Sequence, residues 1–405
     1  MPVTFEHTTL PNGLTILSET DPDAHTGAAG FFVRTGSRDE TTDLMGVSHF
    51  LEHMMFKGTE RRSADDINRE FDEIGAHYNA WTSSEMTCFY AQVLPEQMAP
   101  AIDLLGDMMR PALRAEDFNT ERAVILEEIA MYKDNPFWVL YDKSLSHRYP
   151  GHPLGHLVLG TKETIRDMPV ESMRAYFDRR YSADNTVVAL SGRIDFDAVV
   201  RDVERLCANW QNTGARRDSA EPVAPDAEFD LKDEGLSRAY LLSLSPAPAM
   251  QDMRRYAAML LGKALGDADN SLVHWAVVEN GLADEAQVSY EPHDGGGNWF
   301  IYASCSPDRV ADVRARIDAE IATALDKITD RDLERLRNKA ATGVTVAGER
   351  PGGRMQRLGR LWMYLGEHLT LEEELDRLTS VTLDDLRAVY EAHPFSPRTT
   401  GVLHP

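Results

Sequence analysis

The stretch Ser48-His49-Phe50-Leu51-Glu52-His53-Met54-Met55-Phe56 leaves a folded chain few options. As a helix it sets His49, Glu52 and His53 at i, i+3 and i+4 on one face, while Val47, Phe50, Leu51, Met54, Met55 and Phe56 cover the rest of the cylinder. A helix that is apolar nearly all round has to be buried. Polar side chains buried with it cost roughly 2–7 kcal/mol each unless they find partners. A zinc ion answers that cost, because two imidazoles one turn apart can ligate one ion while the carboxylate beside them handles a proton.

Composition narrows the setting. A chain of 405 residues exceeds one ordinary core and suits two domains of about 200 residues. Apolar residues make up 42% and charged residues 27%, and no run approaches the roughly 18 apolar residues that would span a membrane, so no membrane association is expected. The start, Met1 to His7, has neither a basic segment nor an apolar one, and the expected location is the cytoplasm. Cys88, Cys207 and Cys305 are odd in number and scattered, the pattern of buried thiols in a reducing compartment. A net charge of −24 argues against nucleic acid as a partner.

The patterning is that of an α+β protein. Residues 5–10 and 14–17 read as strands around the turn Pro11-Asn12-Gly13, and 27–35 as a third strand leading to the metal helix, with Thr42 or Asp43 as its N-cap. Residues 63–75 form a helix stopped by Gly75; 77–83 and 86–94 are strands; 95–109 and 117–132 are helices; 185–192 is a buried strand. The second half repeats the plan faintly, with Val277-Val278-Glu279-Asn280-Gly281-Leu282 standing where Phe71-Asp72-Glu73-Ile74-Gly75-Ala76 stands in the first, but it has no His-x-x-Glu-His. These observations divide the chain into a zinc-bearing domain over 1–215, a linker over 216–230 and a homologous domain without a metal site over 231–405.

Zinc needs a third protein ligand. In the 117–132 helix Glu121 and Glu128 are almost two turns apart and share a face with Val124, whereas Glu127 points roughly 100° away. Glu128 is therefore the expected ligand, Glu121 a supporting carboxylate, and Glu127 solvated. His147, His152 and His156 lie around a Pro/Gly-rich loop that allows no helical face and read as structural, and Gly295-Gly296-Gly297 reads as a turn.

The order His-x-x-Glu-His is that of inverzincins, and the chain resembles the pitrilysin and mitochondrial-processing-peptidase family of zinc metallopeptidases over nearly its whole length. The resemblance is carried by Leu10-Pro11-Asn12-Gly13-Leu14, Gly36-Ser37-Arg38, His49 to Thr59 (His-Phe-Leu-Glu-His-Met-Met-Phe-Lys-Gly-Thr), Asn79-Ala80-Trp81-Thr82-Ser83, Glu121 to Glu128, Gly151-His152-Pro153-Leu154-Gly155 and Leu159-Gly160-Thr161. It implies one Zn²⁺ held by His49, His53 and Glu128, Glu52 as the general base and Glu121 as the accessory carboxylate. It also implies two homologous α+β domains, each a mixed sheet flanked by helices, and an edge strand at Asn79, Ala80, Trp81 and Thr82 to which a peptide substrate adds by β-pairing. One departure stands out: catalytic assemblies of the family carry an arginine and, seven residues later, a tyrosine in the second domain, and here those positions are Val277 and Asp284. The expectation is a zinc endopeptidase that is the catalytic subunit of a heterodimer, in preference to a homodimer, with a homologous partner supplying the pair. The alternative is a non-catalytic scaffold or peptide-binding subunit of the same fold.

Overall fold

The computed structural model describes residues 3–217 and 222–405. The strands are β1 (Thr4–Thr9), β2 (Thr15–Thr20), β3 (Gly27–Val33), β4 (His77–Thr82), β5 (Thr87–Val93), β6 (Thr186–Gly192), β7 (Ala227–Lys232), β8 (Ala239–Pro246), β9 (Glu285–His293), β10 (Gly296–Cys305) and β11 (Thr399–His404). The first half supplies helices α1 (Val47–Met55), α2 (Ala64–Glu73), α3 (Met98–Met108), α4 (Ala115–Lys133), α5 (Pro136–Arg148), α6 (Lys162–Asp167), α7 (Val170–Arg180) and α8 (Phe196–Cys207). The second half supplies α9 (Arg255–Gly266), α10 (Val310–Ala322), α11 (Ala324–Lys327), α12 (Asp330–Glu349), α13 (Pro351–Leu365), α14 (Leu371–Thr379) and α15 (Leu383–Ala392).

Two compact units result, and neither is one continuous stretch: the first gathers Met1–Ala130, His156–Asp218 and Val346–Leu369, the second Met131–Gly155, Ser219–Thr345 and Thr370–Pro405. Their sheets run β1-β2-β6-β3-β5-β4 and β7-β11-β8-β10-β9. Setting β1 aside, both follow one plan, in which the first and last strands of the unit pair in parallel and the remaining neighbours are antiparallel. Two homologous α+β domains, each with a mixed sheet flanked by helices, are thus present, and the likeness of the two halves extends to strand order.

In the first unit β3, Gly-Ala-Ala-Gly-Phe-Phe-Val, is buried along its whole length because the sheet is covered on both faces. On one face Phe31 and Phe89 join Phe50 and Leu51 of α1, Phe71 of α2 and Phe118 of α4 in the main core. The other face, with Leu17, Phe32, Cys88 and Val187, is closed by Met355, Leu358 and Met363 of α13. The second unit receives α5 in the same manner: Leu140 packs with Leu242, Leu244, Phe300, Tyr302 and Leu403. Each sheet thus has two apolar faces and takes one covering helix from the far half of the chain, a long-range pairing that the boundaries at 215 and 231 do not capture. Within the linker expected over 216–230, residues 218–221 lie outside the described residues, and the stretch from Ala227 onward belongs to β7. Among the described residues no helix is long and apolar enough to cross a membrane.

Candidate metal centre

The position of α1 is set at its start. Thr42–Leu44 form a separate 3₁₀ turn, and α1 begins only at Val47, so the N-cap is Gly46 and not Thr42 or Asp43. Gly46 has a φ of +94°, and a Cβ there would lie 2.6 Å from the Leu159 carbonyl oxygen; Gly160 comes equally close, its Cβ position 2.3 Å from the Met45 oxygen. The left-handed turn and the close approach both require glycine. A glycine cap has no side chain for the open N–H groups of the first turn, and Glu40 takes that part: its carboxylate accepts from Gly46 N and Ser48 N, both at 2.7 Å. Burial pushes the Glu40 carboxyl up to about 8 in spite of these bonds.

Thus anchored, α1 points His49 and His53 at α4. His49 Nε2 and His53 Nε2 lie 3.8 and 3.7 Å from Glu128 Oε2. These separations are too long for hydrogen bonds. They suit donors sharing one ion, since bonds of about 2.0–2.1 Å in a tetrahedral shell put ligand atoms about 3.4 Å apart. One ligand atom from each of His49, His53 and Glu128 lies within 4.8 Å of the others. The donor set, two imidazoles and one carboxylate, fits zinc. Glu121 is buried, and its Oε1 accepts from His53 Nδ1 at 2.8 Å while its Oε2 pairs with Lys57 Nζ at 2.6 Å. His49 Nδ1, by contrast, is buried without a hydrogen-bond partner among the described residues.

The electrostatics separate the two imidazoles. Burial, reinforced by the nearby His53, drives His49 down to about 3, which leaves it neutral with a lone pair to donate. Burial also disfavours charge on His53, but the Glu121 hydrogen bond and the surrounding carboxylates raise it overall. For Glu121 burial works upward and is outweighed by the hydrogen bonds from His53 and Lys57, so it stays below the usual carboxylate range. Burial raises Glu128 and Glu52, the latter against the opposing hydrogen bond from Thr82.

Among the described residues strand β4 is an edge, paired with β5 alone. Its four candidate residues have different neighbours. Thr82 Oγ1 donates to Glu52 Oε2 at 2.5 Å. Trp81 meets Phe32 edge-on at 6.3 Å on the α13 face, and Ala80 packs on the main core. Asn79 is exposed, and its Oδ1 accepts from Ala80 N at 2.8 Å. Beside them a cavity of about 370 Å³ is lined by His77, Asn79, Tyr90, Gln92 and Gln356 with the Gly352-Gly353 turn of α13.

Other sites are structural in surroundings. Glu127 is exposed. His147 stacks on Phe229, His152 Nδ1 accepts from Leu154 N, and His156 Nδ1 meets the Ser37 carbonyl oxygen at 3.0 Å. In the second unit Val277 is buried in the core and Asp284 pairs with Arg238. Sequence reasoning did not single out Lys57 or Glu40, nor the bond from Thr82 to Glu52. Lys57 carried a signal, standing four positions after His53, one helical turn further along the metal face.

Residues 15–162 match the family described as "Insulinase (Peptidase family M16)", and residues 167–340 match "Peptidase M16 inactive domain". A protein of Streptomyces coelicolor named as an uncharacterized zinc protease is 35% identical over 399 residues, covering 95% of this chain and 86% of its own length. The chain belongs to peptidase family M16. An M16 relative in Bacillus subtilis, also named as an uncharacterized zinc protease, is 32% identical over 379 residues, covering 93% of this chain and 92% of its own. The M16 fold is reproduced in solved structures: a protease from Helicobacter pylori aligns with a TM-score of 0.92 at 20% identity, covering all of both chains. A Pseudomonas fluorescens structure described as a peptidase M16 inactive domain aligns at 0.91 with 18% identity, over 100% of this chain and 98% of its own. The candidate metal-binding group lies within the segment matched by the insulinase description, and among the described residues the segment matched as the inactive domain holds none.

Proposed function

We propose that this M16 chain is a zinc endopeptidase acting on peptides or unfolded segments. The observation that carries the reading is the convergence of His49, His53 and Glu128 on one point, with Glu52 alongside on the same helix face. These three residues would hold one zinc ion per chain, which when bound polarises a substrate carbonyl and makes water acidic near pH 7.

The protein's own groups supply the rest. Burial gives Glu52 a raised proton affinity, so it accepts a proton from the attacking water at a carboxylate oxygen and returns it to the nitrogen of the leaving amine. Thr82 Oγ1 fixes the rotamer of that carboxylate. Glu121 holds the His53 ring and so supports the site. A peptide would add to the open side of β4. Ala80 N–H, bonded to the Asn79 side chain and not to β5, faces that side, so a substrate carbonyl would displace the Asn79 amide oxygen.

The catalytic assembly is a heterodimer in this proposal. Val277 and Asp284 occupy the positions where an arginine and a tyrosine would hold the substrate, and the buried Val277 and the ion-paired Asp284 leave the oxyanion without donors from those positions. A homologous subunit carrying the pair completes the site. An intact set of His49, Glu52, His53, Glu121 and Glu128 supports a peptidase over a scaffold, which would have no use for it. The three free, buried cysteines fit a reducing, cytoplasmic setting. The test is elemental analysis together with peptide hydrolysis: one zinc per chain and chelator-sensitive cleavage are expected, and a chain that binds no zinc refutes the reading.

A further inference from the structure

We infer that Lys57 is a positioning residue of the metal centre, acting through Glu121 on His53. The three groups form a continuous relay: Lys57 Nζ lies 2.6 Å from Glu121 Oε2, and Glu121 Oε1 lies 2.8 Å from His53 Nδ1. A carboxylate can only accept, so His53 carries its proton on Nδ1 and turns the lone pair of Nε2 toward His49 and Glu128. Glu121 is 4% exposed, and a buried carboxylate with one oxygen on an imidazole needs a compensating charge on the other to remain in place. Lys57 is the group that provides it. It stands where the chain leaves α1 through Phe56, and its half-exposed stem lets the ammonium reach back under the helix end.

The arrangement explains an asymmetry between the two imidazoles. His49 is held by packing with no partner on Nδ1, whereas His53 is a quarter exposed and would be free to rotate without the relay. A ring swung off its mark removes one of three donors, and neighbours of ligands matter at the level of about 10–100-fold in metal affinity. Lys57 is not among the three candidate ligands. Its effect has to pass through Glu121.

The inference rests on the zinc reading for its consequence, and its test separates the two. Wild-type, Lys57→Met, Lys57→Arg, Glu121→Gln and the double variant Lys57→Met/Glu121→Gln are titrated with Zn²⁺ against a chromophoric chelator. The metal-free proteins, labelled with ¹⁵N-histidine and held at alkaline pH where the His53 ring is neutral, report which of its nitrogens keeps the proton. Lys57→Met is expected to lose about 10–100-fold in zinc affinity and to lose the pure Nδ1–H signature, Lys57→Arg to restore both to within a few-fold of wild type, and Lys57→Met to change nothing further in the Glu121→Gln background. Wild-type affinity and an unchanged His53 signature in Lys57→Met overturn the relay, as does an additive loss in the double variant. If Lys57→Met fails to fold, the Arg variant and the metal-free spectrum of Lys57→Gln decide by the same criteria. Failure of wild type itself to bind zinc removes the peptidase reading instead.

Discussion

Thr82 at the end of β4 donates a 2.5 Å hydrogen bond to Glu52 of α1, joining the strand proposed to receive a peptide to the group proposed to move the proton. Removing the hydroxyl should leave the metal in place and loosen the base. Thr82→Val is expected to lower kcat by about 10-fold, the loss of roughly 1.4 kcal/mol, with zinc content and KM little changed. Steady-state kinetics on a fluorogenic peptide, run with the completed assembly, measure this; a change confined to KM would assign Thr82 to substrate binding alone.

Replacing the base itself has a larger effect. Glu52→Gln keeps shape and charge-neutral contacts but cannot take a proton, so turnover should fall by about 10²–10⁴-fold while zinc stays stoichiometric. Cleavage at the wild-type rate in a metal-replete assay contradicts the assigned role.

Loss of a ligand reverses that pattern. His49→Ala and Glu128→Gln should each weaken zinc binding by at least about 100-fold, measured by chelator competition. Because His49 is kept neutral by burial, the metal-free His49→Ala chain should not be less stable through loss of a charge.

Glu40 gives a pH-dependent stability. Its carboxyl rises from 4.5 in the unfolded chain to about 8 on burial, so its protonated form is favoured by folding. The associated stabilisation is complete below pH 4.5 and is lost as pH rises through about 8. The stability of wild type relative to Glu40→Gln, from urea denaturation of the metal-free chain, should therefore fall between about pH 5 and about pH 8.5; a difference that is flat or rising with pH contradicts it. Glu40→Ala, which strands the Gly46 and Ser48 N–H groups, should cost about 1–3 kcal/mol.

The purified chain should be nearly inactive alone, and addition of a homologous subunit bearing the arginine and tyrosine should restore turnover. Turnover by the isolated chain equal to that of the mixture would show that Val277 and Asp284 need no substitute.

The parts of this site that could be read from the sequence are those set by helical geometry. His49, Glu52 and His53 share a face by spacing, and so do Glu121 and Glu128, so the residues of each helix could be grouped before their meeting was seen. What joins α1 to other elements could not be read in this way. Thr82 looked like a substrate contact because its strand was the visible feature, and its bond to Glu52 depends on how β4 lies against α1. The helix start was misplaced because Thr42 and Asp43 have good capping side chains, while the actual cap is a glycine whose missing side chain is replaced by Glu40, six residues upstream. Strand β7 lies hidden in a polar stretch that reads as linker: among the described residues it pairs with β11 alone, and its alternating exposure leaves little hydrophobic signal. The cover of α13 over β3 is a contact across more than 300 positions, for which local pattern has no marker.

That last feature bears on the order in which the protein is made. The candidate ligands His49, His53 and Glu128 all emerge from the ribosome before α13, yet the sheet face bearing Phe32 and Cys88 stays uncovered until Met355, Leu358 and Met363 have followed. The first unit is therefore closed only once α13 is in place. A nascent fragment that stops short of α13 carries His49, His53 and Glu128 but lacks a finished body to hold them, so the proposed hydrolytic centre depends on a helix made long after its own residues.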